Sequence, residues 1–287
     1  MRRIILRLHL ASKFRLARWP HKIKMKFAVY QTSQIGGRKY NQDRVAHAYT
    51  DDSLLLVLAD GMGGHLHGEI AAQIAIHTFM QAFAQVAKPR VPEPEIFLRE
   101  VTKQGHHAIM RYAQDNQLSG NPGTTCVAAL VQDGMVNWAH AGDSRFYLLR
   151  DTAVAAVTHD HSVVQQWADW GIITHDEMKT HPDRNKITNC LGGTDDMFYV
   201  EASERVPVQP GDVLLLCSDG LWSPLLDKEM AAAWAESLPR ALDKLVDTAL
   251  LREQARADNT TAVVVRLGAG EEEHKTDMAM CMVLDYR

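Results

Sequence analysis

The chain has 287 residues, 46% of them hydrophobic and 23% charged, and a formal net charge of −4 at pH 7. Those proportions belong to a globular protein with a real core, and the lack of an overall basic field excludes non-specific capture of nucleic acid. No stretch approaches the roughly 18 consecutive apolar residues that a membrane-spanning helix needs.

Residues 1–26 carry nine Lys/Arg and no acid, interleaved with apolar side chains such as Ile4, Leu8, Phe14 and Trp19. Arg7 and His9 interrupt the apolar stretch, so it is a poor signal peptide. The readings are a basic helix lying on an anionic membrane surface or a partner, a disordered extension, or an assigned start upstream of a true one at Met25. From Lys26 the texture changes. Segments 27–34 and 44–50 alternate like strands, around a Gly36-Gly37 loop that carries Arg38, Asn41, Gln42 and Asp43. The run 54–59 is apolar throughout and stops at Asp60-Gly61, which reads as a strand buried on both faces. A helix is expected from Glu69 to about Lys88, and a second from about Glu95 after Pro92 and Pro94.

Strands follow at 125–131, 135–141 and 146–150, with turns at Asp133-Gly134 and Gly142-Asp143. Residues 163–187 are polar, His-rich and irregular, as in a functional loop. Strands resume at 197–206 and 213–218, the second an apolar run ending at Asp219-Gly220. A helix from about Leu238 and a strand at 261–267, entered through Asp258-Asn259-Thr260, complete the pattern. Beyond Gly268 a loosely held tail (269–287) is expected. Cys126 and Cys217 lie inside apolar runs, and the four cysteines form no C-x-x-C pair. This points to a reducing, cytoplasmic setting. No linker breaks 27–268, so one α+β domain is expected, with sheets packed together and helices on the outer faces.

Four acids stand at comparable places: Asp43 before a strand, Asp60 and Asp219 after buried strands, and Asp258 before the last strand. Alone, each Asp-Gly reads as a plain turn. Brought together, the carboxylates would repel one another unless divalent cations lay between them. Such ions would also acidify a water toward neutrality, and carboxylate ligands favour Mg²⁺ or Mn²⁺ over zinc.

The order of short motifs resembles the metal-dependent (PPM, 2C-type) serine/threonine protein phosphatases in their bacterial form. The matching pieces include Arg38-x-x-Asn41-Gln42-Asp43, Asp60-Gly61-Met62-Gly63-Gly64-His65, Gly68-Glu69 and Gly123-Thr124-Thr125. Gly142-Asp143-Ser144-Arg145, Asp160-His161-Ser162, Ser218-Asp219-Gly220 and Asp258-Asn259-x-Thr261 complete the set. The resemblance implies a four-layer α-β-β-α sandwich with two central, mostly antiparallel sheets. It implies two Mn²⁺ or Mg²⁺ ions, with Asp60 bridging, the Gly61 carbonyl contributing, Asp219 and Asp258 on the other side, and Asp43 acting through water. Asp143 with Asp219 would hold a third, weaker ion; otherwise Asp143 is a hairpin turn residue. Arg38 would grip the substrate phosphate, a hydroxide bridging the ions would attack phosphorus, and 163–187 would be the flap. Implied partners are phosphorylated proteins and a Ser/Thr kinase whose action is opposed, with the chain itself monomeric.

Two residues depart from the wider pattern. Gln42 stands where other branches carry an acid, and Met62 where eukaryotic relatives have a histidine proposed as general acid. His65 is the nearest histidine in sequence. Cys190 has no functional reading. A catalytically inactive, phosphoprotein-binding version of the fold is the alternative, although Arg38 and the four aspartates are present. A His/Asp metal hydrolase built on His140, His159, His161, His175 and His181 is a third reading, disfavoured because these residues fall at strand ends and in a polar loop.

Overall fold

The computed structural model of the protein describes residues 25–62, 67–118, 120, 122–193, 198–268 and 279–282, the last four by their backbone alone. The chain opens with β1 (Phe27–Gln34), β2 (Asp43–Tyr49) and β3 (Ser53–Met62), followed by helices α1 (Gly68–Val86) and α2 (Pro94–Asp115). Next come β4 (Gly123–Thr124), β5 (Cys126–Gln132), β6 (Met135–Ala141), β7 (Arg145–Arg150) and β8 (Ala153–Val157). Short helices α3 (Val163–Asp169) and α4 (His175–Met178) precede the brief strands β9 (Leu191–Gly192), β10 (Glu201–Ala202) and β11 (Val206–Pro207). Strand β12 (Val213–Cys217) leads into α5 (Asp219–Trp222), α6 (Asp227–Ala232) and α7 (Leu238–Glu253). The described chain ends with β13 (Thr260–Leu267) and β14 (Ala279–Met282).

One sheet has the order β1-β13-β12-β7-β8, and the main path of the other is β10-β6-β5-β3-β2-β14. The neighbours along both paths are antiparallel. Side chains alternate across a strand, so a strand covered on both faces has no need of polar alternation. In β3, Leu54, Leu56 and Leu58 pack between the sheets, while Leu55, Val57 and Ala59 pack against α1 and α2. In β12, Leu214 and Leu216 point inward, and Leu215 and Cys217 point outward toward α5, α6 and α7. Three apolar layers therefore separate helices, sheet, sheet and helices. This is the expected α+β sandwich.

The inter-sheet layer fixes where the strand ends lie. Leu56 is fully buried within it. Leu56→Ala is expected to cost about 2–5 kcal/mol of stability, because a cavity there cannot collapse between two sheets. Urea unfolding would measure it; a loss below about 0.5 kcal/mol, ordinary for a surface site, would contradict that placement.

Several boundaries differ from the sequence expectation. Strand β3 runs on through Asp60 to Met62, because β4 extends its pairing past the apolar run. Segment 163–187 is not wholly irregular. Ser162 caps α3 by accepting from the Gln165 N–H, and Thr174 with Glu177 forms a capping box on α4. The strand expected at 197–206 reduces to β10 and β11, each pairing with the edge of β6. Between them Ser203 bonds Trp138 through both Oγ and backbone N–H, which interrupts the ladder. The tail is not loose throughout, since β14 pairs with β2. Residues 1–24 and His65 lie outside the described residues. Among the described residues, no helix is long and apolar enough to cross a membrane.

Candidate metal centre and active site

Asp43 and Asp60 sit directly opposite each other in the β2–β3 register. Asp60 follows the inward set Leu54, Leu56, Leu58 in phase, and Asp43 precedes the inward Val45, so both face the space between the sheets at one end. From the second sheet, β12 ends at Ser218, whose Oγ donates to Asp43 Oδ2 at 2.8 Å across the gap. Asp219 follows as the first residue of α5, and Asp258 lies just ahead of β13. The sandwich thus brings four carboxylates from separate strands to one edge.

The backbone around them is held closely. The Asp60 carbonyl accepts from Thr125 N–H (2.8 Å) and Thr124 Oγ1 (2.9 Å), and its N–H donates to Thr125 Oγ1 (3.0 Å). Position 61 has no room for a side chain, since a Cβ would lie 2.3 Å from the Gly68 carbonyl oxygen. Asn259 ties the 35–42 loop to the edge. It accepts from Gln42 N–H (2.8 Å) and donates to the carbonyls of Ile35 (2.9 Å) and Tyr40 (3.0 Å). That loop presents Arg38, 55% exposed, in an ion pair with Asp258.

Electrostatically the cluster is under load. Burial, then repulsion from Asp43, Asp219, Asp143 and Asp258, raises Asp60 well above the usual carboxylate range. Asp219 is raised likewise, by burial and then by Asp143, Asp258 and Asp43. Burial pushes Asp43 up to about 6, with hydrogen bonds from Thr261 and Ser218 holding it partly down. Burial and the neighbouring Asp160 carry Asp143 to about 7 against the pull of Arg145. The Oδ1 atoms of Asp43, Asp143 and Asp219 are buried without a hydrogen-bond partner among the described residues. Orphaned carboxylate oxygens that repel one another fit a hard divalent cation: oxygen donors suit Mg²⁺ and Mn²⁺, and the ion supplies the missing partner.

Asp143 reaches this cluster from the β6–β7 turn. Gly142 adopts a positive φ of 112°, and a Cβ there would lie 2.7 Å from Thr125. On one side the Trp222 indole N–H donates to the Asp143 carbonyl at 2.9 Å. The same ring packs against Arg145, whose guanidinium carbon is 3.5 Å from the ring centroid. Arg145 in turn makes a two-pronged bond to Asp160, at 2.8 and 2.7 Å. On the other side His161 Nδ1 accepts from the Gly142 N–H at 3.2 Å.

His140, His161 and Glu201 form a separate trio whose ligand atoms lie within 4.8 Å of one another. Because His161 Nδ1 accepts a backbone N–H, its Nε2 carries the proton and donates it to Glu201 Oε2 at 3.1 Å. A protonated nitrogen has no lone pair for a metal, so His161 acts here as a clasp on Gly142, held by Glu201. His140 spends its Nε2 on the His159 carbonyl and leaves its buried Nδ1 without a partner among the described residues. The remaining histidines of the His/Asp reading do not converge with this trio. His159 bonds Asp169, and His181 packs edge-on against Trp167.

Arg38, Asp43, Asp60, Gly61, Asp219 and Asp258, the site residues expected from sequence, lie at this edge, with Asp143 adjoining them. Gln42 donates to Glu69 at 3.3 Å. Met62 Cε and Cys190 Sγ both lie beside Gly123, 3.4 and 3.6 Å from where a Cβ there would stand. Ser218, Asn259 and Trp222 have no role that the sequence alone assigns. The first two stand next to an aspartate, in Ser218-Asp219 and Asp258-Asn259, and that adjacency is the signal the sequence offers.

A family model described as protein phosphatase 2C matches residues 30–254. The serine/threonine phosphatase stp of Listeria monocytogenes is 31% identical over 242 residues, spanning 83% of this chain and 94% of its own. The structure of Stp1 from Staphylococcus aureus, a serine/threonine phosphatase, is similar with a TM-score of 0.78 at 30% identity, over 88% of this chain and 99% of that one. The catalytic domain of the phosphatase PstP, in complex with two manganese ions, is similar with a TM-score of 0.71 at 30% identity, over 85% and 99%. With the fold, the strand-end aspartates and a family match over most of its length in agreement, this chain belongs to the protein phosphatase 2C family and groups with its bacterial serine/threonine phosphatases.

Proposed function

We propose that the chain hydrolyses phosphoserine and phosphothreonine in proteins, through residues 27–268, as a metal-dependent phosphatase opposing a Ser/Thr kinase. It would act as a cytoplasmic monomer. The observation that carries the reading is the convergence of Asp43, Asp60, Asp219 and Asp258 from both sheets, with partnerless buried oxygens, beside an exposed Arg38. Asp60, Asp219, Asp258, the Gly61 carbonyl and Asp43 would hold two Mn²⁺ or Mg²⁺ ions, and Asp143 with Asp219 a third. When bound, such ions supply neutralising charge and an acidified water as nucleophile.

The chain's own groups do the rest. Ser218 occupies one oxygen of Asp43 and so leaves the other aimed into the site. The threonines on the Asp60 backbone keep that carboxylate from following the charge it faces. Arg38 rests on Asp258, and its planar fork matches two phosphate oxygens, so substrate would take over that contact. Met62 has no proton to give, and the leaving hydroxyl would take its proton from water.

The test is phosphate release from a phosphothreonine peptide with Mn²⁺, with Mg²⁺ and with chelator. Turnover is expected with the cations and none with chelator. Arg38→Ala is expected to lower kcat/KM roughly 10²-fold, the scale for one transition-state charge contact. Wild type that binds phosphopeptide but never turns it over would instead make the chain a phosphoprotein-binding module, with Gln42 and Met62 as the first residues to restore.

A further inference from the structure

A cavity of about 350 Å³ opens beside the aspartate cluster, with Asp143 and Asp219 at one end. Part of its lining is apolar: Val164 and Leu225 are buried and Met178 is half-buried. The α3–α4 segment and the turn after it form another wall, and they bring Lys179 and Arg184 to the cavity. Both side chains are exposed, and neither has an ion pair or side-chain hydrogen bond among the described residues.

The acids facing the cavity are engaged to different degrees. Both Asp160 oxygens accept from Arg145, and Asp227 accepts from the Tyr147 hydroxyl at 3.5 Å. Asp143 and Asp219 belong to the cluster that cations would neutralise under the phosphatase reading. What remains, Lys179 and Arg184 against the single carboxylate of Asp227, is net positive, and the two cations sit on the flap, above an apolar surface. An anion with a short apolar stem suits that combination, whereas a lysine or arginine would meet like charge.

We propose that this cavity receives an anionic side chain of the substrate, flanking the phosphorylated residue, and that Lys179 and Arg184 hold its charge. The inference rests on the phosphatase reading and narrows it to phosphoproteins with an acidic or second phosphorylated residue near the reacting one. Two chemistries fit, a carboxylate and a second phosphoryl group, and they can be told apart by experiment.

Phosphothreonine peptides identical except for Glu, phosphoserine, Ala or Lys at each flanking position in turn would be compared by kcat/KM in Mn²⁺. At one position or more, wild type is expected to favour an anion over Lys by about tenfold, with the preference shrinking as salt rises. Whichever anion gives the larger preference identifies the group the cavity takes. In Lys179→Glu the preference is expected to vanish or invert, and Arg184→Glu should act in the same direction. A wild type indifferent to charge at every position would overturn the proposal, as would a preference left intact in both variants. Failure of wild type to hydrolyse any peptide or a small aryl phosphate would overturn the phosphatase reading itself, and this inference with it.

Discussion

Asp219→Asn is expected to lower turnover of a phosphothreonine peptide by on the order of 10³-fold or more while leaving the protein folded. The first half follows from position. Asp219 is delivered by β12, a strand buried on both faces, and its Oδ1 has no hydrogen-bond partner among the described residues. It lies close enough to Asp43, Asp143 and Asp258 for each to raise its pKa. Under the proposed reading, an amide of the same shape removes the charge that a divalent ion would need from this ligand and weakens the donor set of one ion of the pair and of the third. Removing one preorganised electrostatic contact commonly costs about 10²–10³ in rate, and loss of a charged ligand, as Asp219 would be under the proposed reading, should exceed that. The second half follows from the same crowding: loss of one negative charge relieves the others. Asp243→Asn, on the exposed face of α7 with Tyr30 as its partner, is the matched control and should change turnover little. Turnover of Asp219→Asn within tenfold of wild type would remove Asp219 from the machinery.

The residues most legible in the sequence are those fixed by burial on two faces. The apolar runs of β3 and β12 announced strands because both sheet faces are covered, and Met135–Ala141 was delimited by its Asp133-Gly134 turn. Strand β8 was missed because Ala153–Val157 is short, lies at a sheet edge and is half exposed, so its pattern carries little signal. Helices α3 and α4 were missed because they are short and polar. Their caps, Ser162 and Thr174-x-x-Glu177, were the readable cue. For the site, the type and placement of each aspartate at a strand end could be read. Their meeting could not, because it depends on how two sheets stack. The support around Asp143 was also illegible: Trp222 and His161 reach it from distant segments, and no spacing in the chain encodes that.

The same aspartates set an expected pH and metal dependence of stability. A carboxyl in an unfolded chain titrates near 3.9. In the folded protein Asp43 is pushed to about 6 and Asp143 to about 7, while Asp60 and Asp219 lie well above the usual range. Between roughly pH 4 and those values the folded state binds more protons than the unfolded one, so stability falls as pH rises. In chelator, the melting temperature is therefore expected to drop from pH 5 to pH 8. Divalent cations compete with those protons, and their binding strengthens as the carboxylates ionise. At 100 times its dissociation constant an ion adds about 2.7 kcal/mol. For a domain of this size that is a rise of roughly 5–10 °C per ion. Mn²⁺ should thus raise the melting temperature most at pH 8 and least at pH 5, and Asp219→Asn should blunt that rise while melting higher than wild type in chelator. Scanning calorimetry over that range with chelator and with excess Mn²⁺ would decide it. A melting temperature in chelator that climbs with pH, or no shift on adding cation at pH 8, would show that the four carboxylates are not the strained, cation-seeking set their burial and mutual repulsion make them.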